Sequence, residues 1–272
     1  MPLYSATCPL PKNQMLRRHR SFSPSNIAGL ALWLNATTGL FDATSGGNAV
    51  TTNAASVARW EDQSGNSRHA TQSISGYRAT LRTSVQNSKN IIRFDGTDDF
   101  FTGVADALPL VNLSTRLTFF MACLPDLASR QASYGGGGII RGMQTDSSEG
   151  WYFGVRSTGK FAFNQNSGSN ACIVSTSTLT TNTAYVIGSV YDGSAGITPS
   201  LRIKNFLSST EETDVLDDGS GGWGSGEEIG RGYTSSSYYF KGDLCELVIY
   251  DSVLSTANIQ SVVDYFKSRW GI

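Results

Sequence analysis

The residues of this chain that are able to do chemistry are few and scattered. Acid-and-nucleophile cleavage of a glycosidic bond needs two carboxylates on one face of a strand, two or four residues apart. The nearest approach is Glu212-Thr-Asp214-Val-Leu-Asp217, whose third carboxylate is oddly spaced. Thr, Asp and Gly surround that segment, so it reads as a loop. Glu246 alternates with apolar residues and stands alone. A serine triad would have to draw on His69 or His19, the only histidines, and no nucleophile-elbow sequence is present. Cys8, Cys123, Cys172 and Cys245 lack metal-ligand spacing, and Cys123 and Cys245 lie in apolar runs, as buried thiols do. The Gly135–Gly138 run has no lysine and no strand-turn-helix context, which argues against a phosphate loop. The chain reads as non-catalytic.

Binding chemistry is better represented. Sugars are held by flat aromatic faces beneath their CH patches and by planar amides or carboxylates on their hydroxyls, so aromatics on polar loops matter most. Trp223 sits within Gly219-Ser-Gly-Gly-Trp-Gly-Ser-Gly226, and Tyr233, Tyr238 and Tyr239 flank a nearby serine run. These four are the candidate glycan contacts, the alternative being that Trp223 folds back against the core. Tyr134 is a lesser candidate, whereas Trp33, Trp151 and Trp270 read as core. Asp98 and Asp99 either cap neighbouring backbone or supply oxygens to calcium, which needs several more converging ligands. No other cofactor is implied. Asp62 and Asn66 read as loop-shaping residues beside a core Trp60, and His69 has no second histidine to share a metal except His19.

Positioning such residues requires strands. Ile27–Leu34, Asn90–Phe94, Leu117–Leu124, Trp151–Val155, Phe161–Phe163, Ala184–Tyr191 and Leu201–Phe206 are short apolar or alternating runs, several separated by glycine or turn residues. Asp95-Gly96 is a tight-turn signal, with Gly96 free to take positive φ. Leu244, Glu246, Val248 and Tyr250 alternate with Cys245, Leu247 and Ile249, predicting a strand at a sheet edge. A helix follows: Ser255 is its cap, Asn258 leaves the capping box incomplete, and Gly271 is its stop. Its Ile259, Val262, Val263, Phe266 and Trp270 recur at three to four residues, giving one apolar face. Many strands and one late helix predict two antiparallel sheets packed face to face.

Composition narrows the partners. Charged residues make up 16% of the 272 and the formal charge is -1, which excludes a bulk electrostatic grip on nucleic acid. No run is long enough to cross a bilayer. Residues 1–21 form a basic extended arm with Lys12, Arg17, Arg18 and Arg20 and no acid, against 17 basic and 22 acidic residues in the rest. No apolar segment follows those charges, so the arm does not read as a secretory signal. It is either a loose terminus or an anchor to a partner, for instance by adding a strand to a neighbour's sheet edge.

Three motifs carry a family resemblance: Phe22-Ser-Pro-Ser-Asn-Ile-Ala-Gly-Leu-Ala-Leu-Trp-Leu34, Trp60-Glu-Asp-Gln-Ser-Gly-Asn-Ser-Arg-His-Ala-Thr-Gln72 and Ile92-Arg-Phe-Asp-Gly-Thr-Asp-Asp-Phe100. Together with Gly242–Tyr250 and the closing helix they resemble a laminin-G-like domain of the concanavalin A-like lectin/glucanase superfamily, over residues 22–272. The resemblance implies an all-β jelly-roll sandwich with one C-terminal amphipathic helix. Such domains occur in phage structural and secreted bacterial proteins. The expectation is a virion structural, decoration or tail-associated protein, anchored through its arm to other virion proteins or to its own copies. The alternative is a carbohydrate-binding adhesion module, virion-borne or extracellular, that contacts host surface glycans.

Overall fold

The computed structural model describes residues 22–104, 116–127, 137–143, 150–156, 158–166, 170–175, 177–192, 200–205, 210–215, 227–232 and 239–272. The first part of the chain holds β1 (Leu30–Asn35), β2 (Leu40–Phe41), β3 (Arg59–Trp60), β4 (Ala70–Thr71), β5 (Thr80–Gln86) and β6 (Lys89–Asp95). The middle holds β7 (Arg116–Pro125), β8 (Gly137–Met143), β9 (Gly150–Val155), β10 (Phe161–Asn166), β11 (Asn170–Val174) and β12 (Tyr185–Asp192). Then come β13 (Ser200–Asn205), β14 (Thr210–Val215), β15 (Glu228–Ile229), β16 (Lys241–Tyr250) and helix α1 (Thr256–Trp270).

The larger sheet runs β14-β13-β12-β7-β16-β6-β5, with β1 also paired to β16. A five-stranded sheet, β11-β10-β9-β8-β15, faces it, and β2-β3-β4 form a small third sheet. All pairings are antiparallel, and the result is the expected jelly-roll-like sandwich. Between the sheets lies a core that includes Leu32, Leu81, Ile92, Phe119, Met121, Phe153, Phe161, Leu247 and Ile249. The outer face of the larger sheet carries a second core, in which Ile91, Phe120, Ala122, Leu124 and Val248 meet the five predicted apolar residues of α1.

Three sequence expectations change. The strand before the helix is central, not an edge: β16 lies beside β7, and its other side is shared between β6 (Lys241–Leu244) and β1 (Glu246–Tyr250). A bulge at the changeover, between Leu244 and Glu246, breaks the alternation. The extra residue turns Leu244 onto the inner face with Leu247 and Ile249, while Cys245, Val248 and Tyr250 face the helix. Residues 210–215 are a strand paired to β13, not a loop, because cross-strand hydrogen bonding overrides their polar composition. The first strand is shorter than expected: Pro24–Asn26 form a 3₁₀ turn, and β1 begins at Leu30.

The closing helix follows its sequence. Ser255 Oγ accepts from the Asn258 amide, and Gly271 takes φ 67° after the last turn. Glu246, fully buried, ties the helix down. Its Oε1 accepts from Trp33 Nε1 at 2.6 Å and Tyr265 Oη at 2.8 Å, and its Oε2 from Trp270 Nε1 at 2.7 Å. Arg269 Nε lies 3.3 Å from Oε2. Burial raises the Glu246 pKa, and the donors oppose that rise.

Candidate functional site

The outer face of the larger sheet is not wholly covered by α1. Ile91 and Leu124 pack in the core beneath the helix. Beyond the helix end, where Gln86 Nε2 donates to Trp270 O, the face opens into a groove of about 880 Å³. Side chains alternate across a strand, so Arg93 and Asp95 of β6 share a face with Ile91, as Thr80 does with Arg82 on β5. Arg93, Asp95, Thr80 and Arg82 line the groove together with Lys241 and Asp243 of β16. Ser56, Ser75, Gly76 and Arg78 contribute one rim, and Asn182 and Asp126 another. Tyr77, in the turn that supplies the first rim, and Val85 are exposed large apolar side chains among the described residues.

Most charges in this groove are already held. Arg93 grips buried Asp243 with both arms of its fork, Nε–Oδ1 at 2.6 Å and Nη2–Oδ2 at 2.8 Å. That pairing raises the Arg93 pKa. Lys241 pairs with Asp126 at 3.3 Å. Asp95 Oδ1 accepts the amides of Thr97 and Asp98, and Asp99 Oδ2 accepts the Asp95 amide, so this pair caps the tight turn. Gly96 takes φ 80° there, and a Cβ on it would lie 2.7 Å from Lys241 Cβ. Burial pushes Asp99 up to about 6, and burial plus the neighbouring Asp95 raises Asp98.

The Asp98 and Asp99 expectation therefore resolves into a turn in which Asp95, Asp98 and Asp99 bring carboxylate oxygens within 4.8 Å of one another. Two of the three also serve the turn's own amides. Such a cluster offers a hard cation three ligands, fewer than the six to eight calcium takes.

Of the four aromatic contacts predicted from sequence, Tyr239 is described, and Trp223, Tyr233 and Tyr238 lie outside the described residues, as does Tyr134. Tyr239 is half-buried, its ring 6.3 Å from Phe100, which in turn lies 5.7 Å from Tyr77. Arg231 stacks over Phe100 at 4.0 Å and donates to Glu228, which also pairs with buried Arg141. The arm residues Lys12, Arg17, Arg18 and Arg20 also lie outside the described residues. Trp60 and Trp270 are fully buried as expected, whereas Trp33 is only half-buried, with its indole N–H on buried Glu246.

Asp62 shapes its loop as expected. Its oxygens accept the amides of Trp33, Ser64 and Arg68, and its own amide donates to His69 Nδ1 at 3.1 Å. Asn66 Nδ2 donates to Leu30 O and Ala31 O. These bonds make His69 a loop clamp, its Nδ1 engaged as an acceptor.

Sequence reasoning missed the groove. Thr80–Gln86 carries no apolar alternation beyond Leu81 and Val85, so β5 left no strand signal. Arg93 and Asp95 are the outward half of a strand whose inward half, Ile92 and Phe94, was legible.

Comparison with known proteins follows the same lines. Residues 128–260 match the family model described as the concanavalin A-like lectin/glucanases superfamily. No curated protein matches the chain. Among solved structures, an arabinofuranosidase complexed with arabinofuranosyl-alpha-1,2-xylobiose superposes with TM-score 0.59 at 14% identity, over 89% of this chain and 64% of that one. The receptor binding domain of botulinum neurotoxin C/D mosaic serotype gives 0.55 at 12% identity, over 87% and 51%. A Trypanosoma rangeli sialidase complexed with a difluoro-KDN gives 0.51 at 12% identity, over 87% and 32%. The chain thus spans less than two thirds of each of these structures, and at such identities the likeness is one of fold. Among the described residues, no helix is long and apolar enough to cross a membrane.

Proposed function

We propose that this chain is a non-catalytic carbohydrate-binding module whose ligand lies in the groove over β5, β6 and β16. The observation that carries the reading is the groove itself: an open, polar trough of about 880 Å³, with several side chains already fixed by one another. Hydroxyls of Ser56, Ser75 and Thr80 and the amides of Gln86 and Asn182 offer the donors and acceptors that sugar hydroxyls need. Preordered polar groups bind without the entropy of arranging them. The fold resemblance supports this reading, since two of the similar structures are sugar-processing enzymes with sugar-like ligands bound.

The non-catalytic half of the proposal rests on the carboxylates. Of the groove's carboxylates, Asp243 and Asp126 are ion-paired, and Asp95 and Asp99 cap the β6 turn, so each has a structural role. The virion-anchored alternative depends on residues 1–21, which lie outside the described residues. The groove favours adhesion.

The test is a glycan-array screen followed by calorimetric titration of the best ligand. Asn182→Gly keeps the positive φ of 57° at that position while removing the rim amide. It should weaken binding about tenfold, the worth of roughly one good hydrogen bond. Trp223→Ala in the same assay tells the groove from the glycine-rich loop: unchanged affinity in Asn182→Gly with loss in Trp223→Ala would move the site to that loop. Release of a cleaved sugar from any bound ligand would overturn the non-catalytic reading.

A further inference from the structure

The floor of the groove follows one row of residues that runs across the strands. Ser56 bridges to Thr80, Thr80 pairs with Arg93, Arg93 with Asp243, and Asp243 with Leu124. Past β7 the row is continued by Asn182, whose backbone amide donates to Pro125 O at 2.9 Å. All six of these residues line the groove. Directly opposed residues of antiparallel strands turn their side chains to one face, so the row makes a single surface. Neighbouring strands lie about 4.8 Å apart, and five such steps give a floor roughly 24 Å long. Asp243 and Leu124, within the row, are buried, whereas Ser56 and Asn182 at its two ends are exposed. Residues 51–54 and 180–183, beside those ends, are exposed as well. Among the described residues, the trough therefore runs out to solvent at both ends.

From this shape we propose that the groove reads an internal stretch of a linear, uncharged glycan, about four or five rings long, and not a terminal sugar. The proposal rests on the sugar-binding reading above and adds the mode of recognition. A chain end is held by a pocket that closes around it, whereas a trough open at both ends lets the chain continue. Linked pyranose rings repeat at an interval close to the strand spacing, so successive rings meet successive residues of the row. Four basic and four acidic side chains line the groove, so its field favours an ion of neither sign. The row offers hydroxyls at Ser56 and Thr80, a fixed Arg93–Asp243 couple, and the Asn182 amide at its far end.

The experiment is calorimetric titration with xylan, mannan and glucan oligosaccharides from the monosaccharide to the heptamer, and with each parent polymer. In at least one series affinity should rise severalfold per ring up to about four or five rings and then level off. The polymer should bind as tightly as the heptamer. Ser56→Ala and Asn182→Gly, at opposite ends of the row, should each weaken the hexamer severalfold while leaving the disaccharide unchanged. Their effects should multiply in the double variant, because distant sites act independently. Both positions are exposed, so the melting temperature should not move. A monosaccharide that binds as tightly as its hexamer would overturn the internal mode while leaving sugar binding intact. Array binding confined to branched or charged glycans, with no series titrating, would do the same. Length dependence that neither variant alters would overturn the assignment to this row. No binding of any saccharide would overturn both this inference and the reading beneath it.

Discussion

Asp99 shows how burial and turn chemistry conflict at a single residue. Its carboxylate caps the Asp95 amide, yet burial raises its pKa from 3.8 to about 6. Between those values the native state holds a proton that the unfolded chain has released. Native stability therefore falls as pH rises from about 4 to about 6 and then levels off, the opposite of a salt-bridged carboxylate. Asp99→Asn keeps an acceptor oxygen for the amide and removes the charge. The variant should melt about 2–4 °C above the wild type at pH 7.5, the shift of roughly 1 kcal/mol in a domain of this size. The gain should vanish near pH 4, where both forms are neutral. Thermal melts at the two pH values check the sign, because the other carboxylates cancel in the difference.

Elements are joined here by one buried side chain as much as by apolar area. Glu246 projects from β16 at the bulge and accepts from Trp33 of β1 and from Tyr265 and Trp270 of α1. Removing it leaves several buried donors without an acceptor. Glu246→Ala should cost about 3–5 kcal/mol in urea unfolding, the range for breaking a buried charged network, and Glu246→Gln less, since one acceptor oxygen remains. The same scale decides how a sheet edge is covered. Residues 53–57 cover β5: Ala54 N donates to Leu81 O at 2.7 Å, Leu81 N to Ala55 O at 2.9 Å, and Asn53 Oδ1 accepts the Thr83 amide. Among the described residues, β14 is the strand at the opposite end of this path.

For the whole molecule, the described fold begins at Phe22, whose ring packs edge-on against Tyr265, and Tyr250 Oη donates to Pro24 O. A chain of residues 22–272 should keep the melting temperature and glycan affinity of the full chain, as calorimetry can show. A drop in native mass on the same truncation would establish the arm as an assembly device. The sandwich class, the helix with its cap and stop, the Asp95-Gly96 turn and the Asp62 loop were legible in the sequence, because each rests on spacing within a dozen residues. Glu246 looked solitary because its partners are contributed by residues as distant as Trp33. The groove draws on residues from Ser56 to Asp243, and the bulge that turns Leu244 inward depends on which strands flank β16. Periodicity is local and reports which side of a strand is apolar. Which strands become neighbours, and hence which polar sides face one another across a groove, is settled only by long-range pairing.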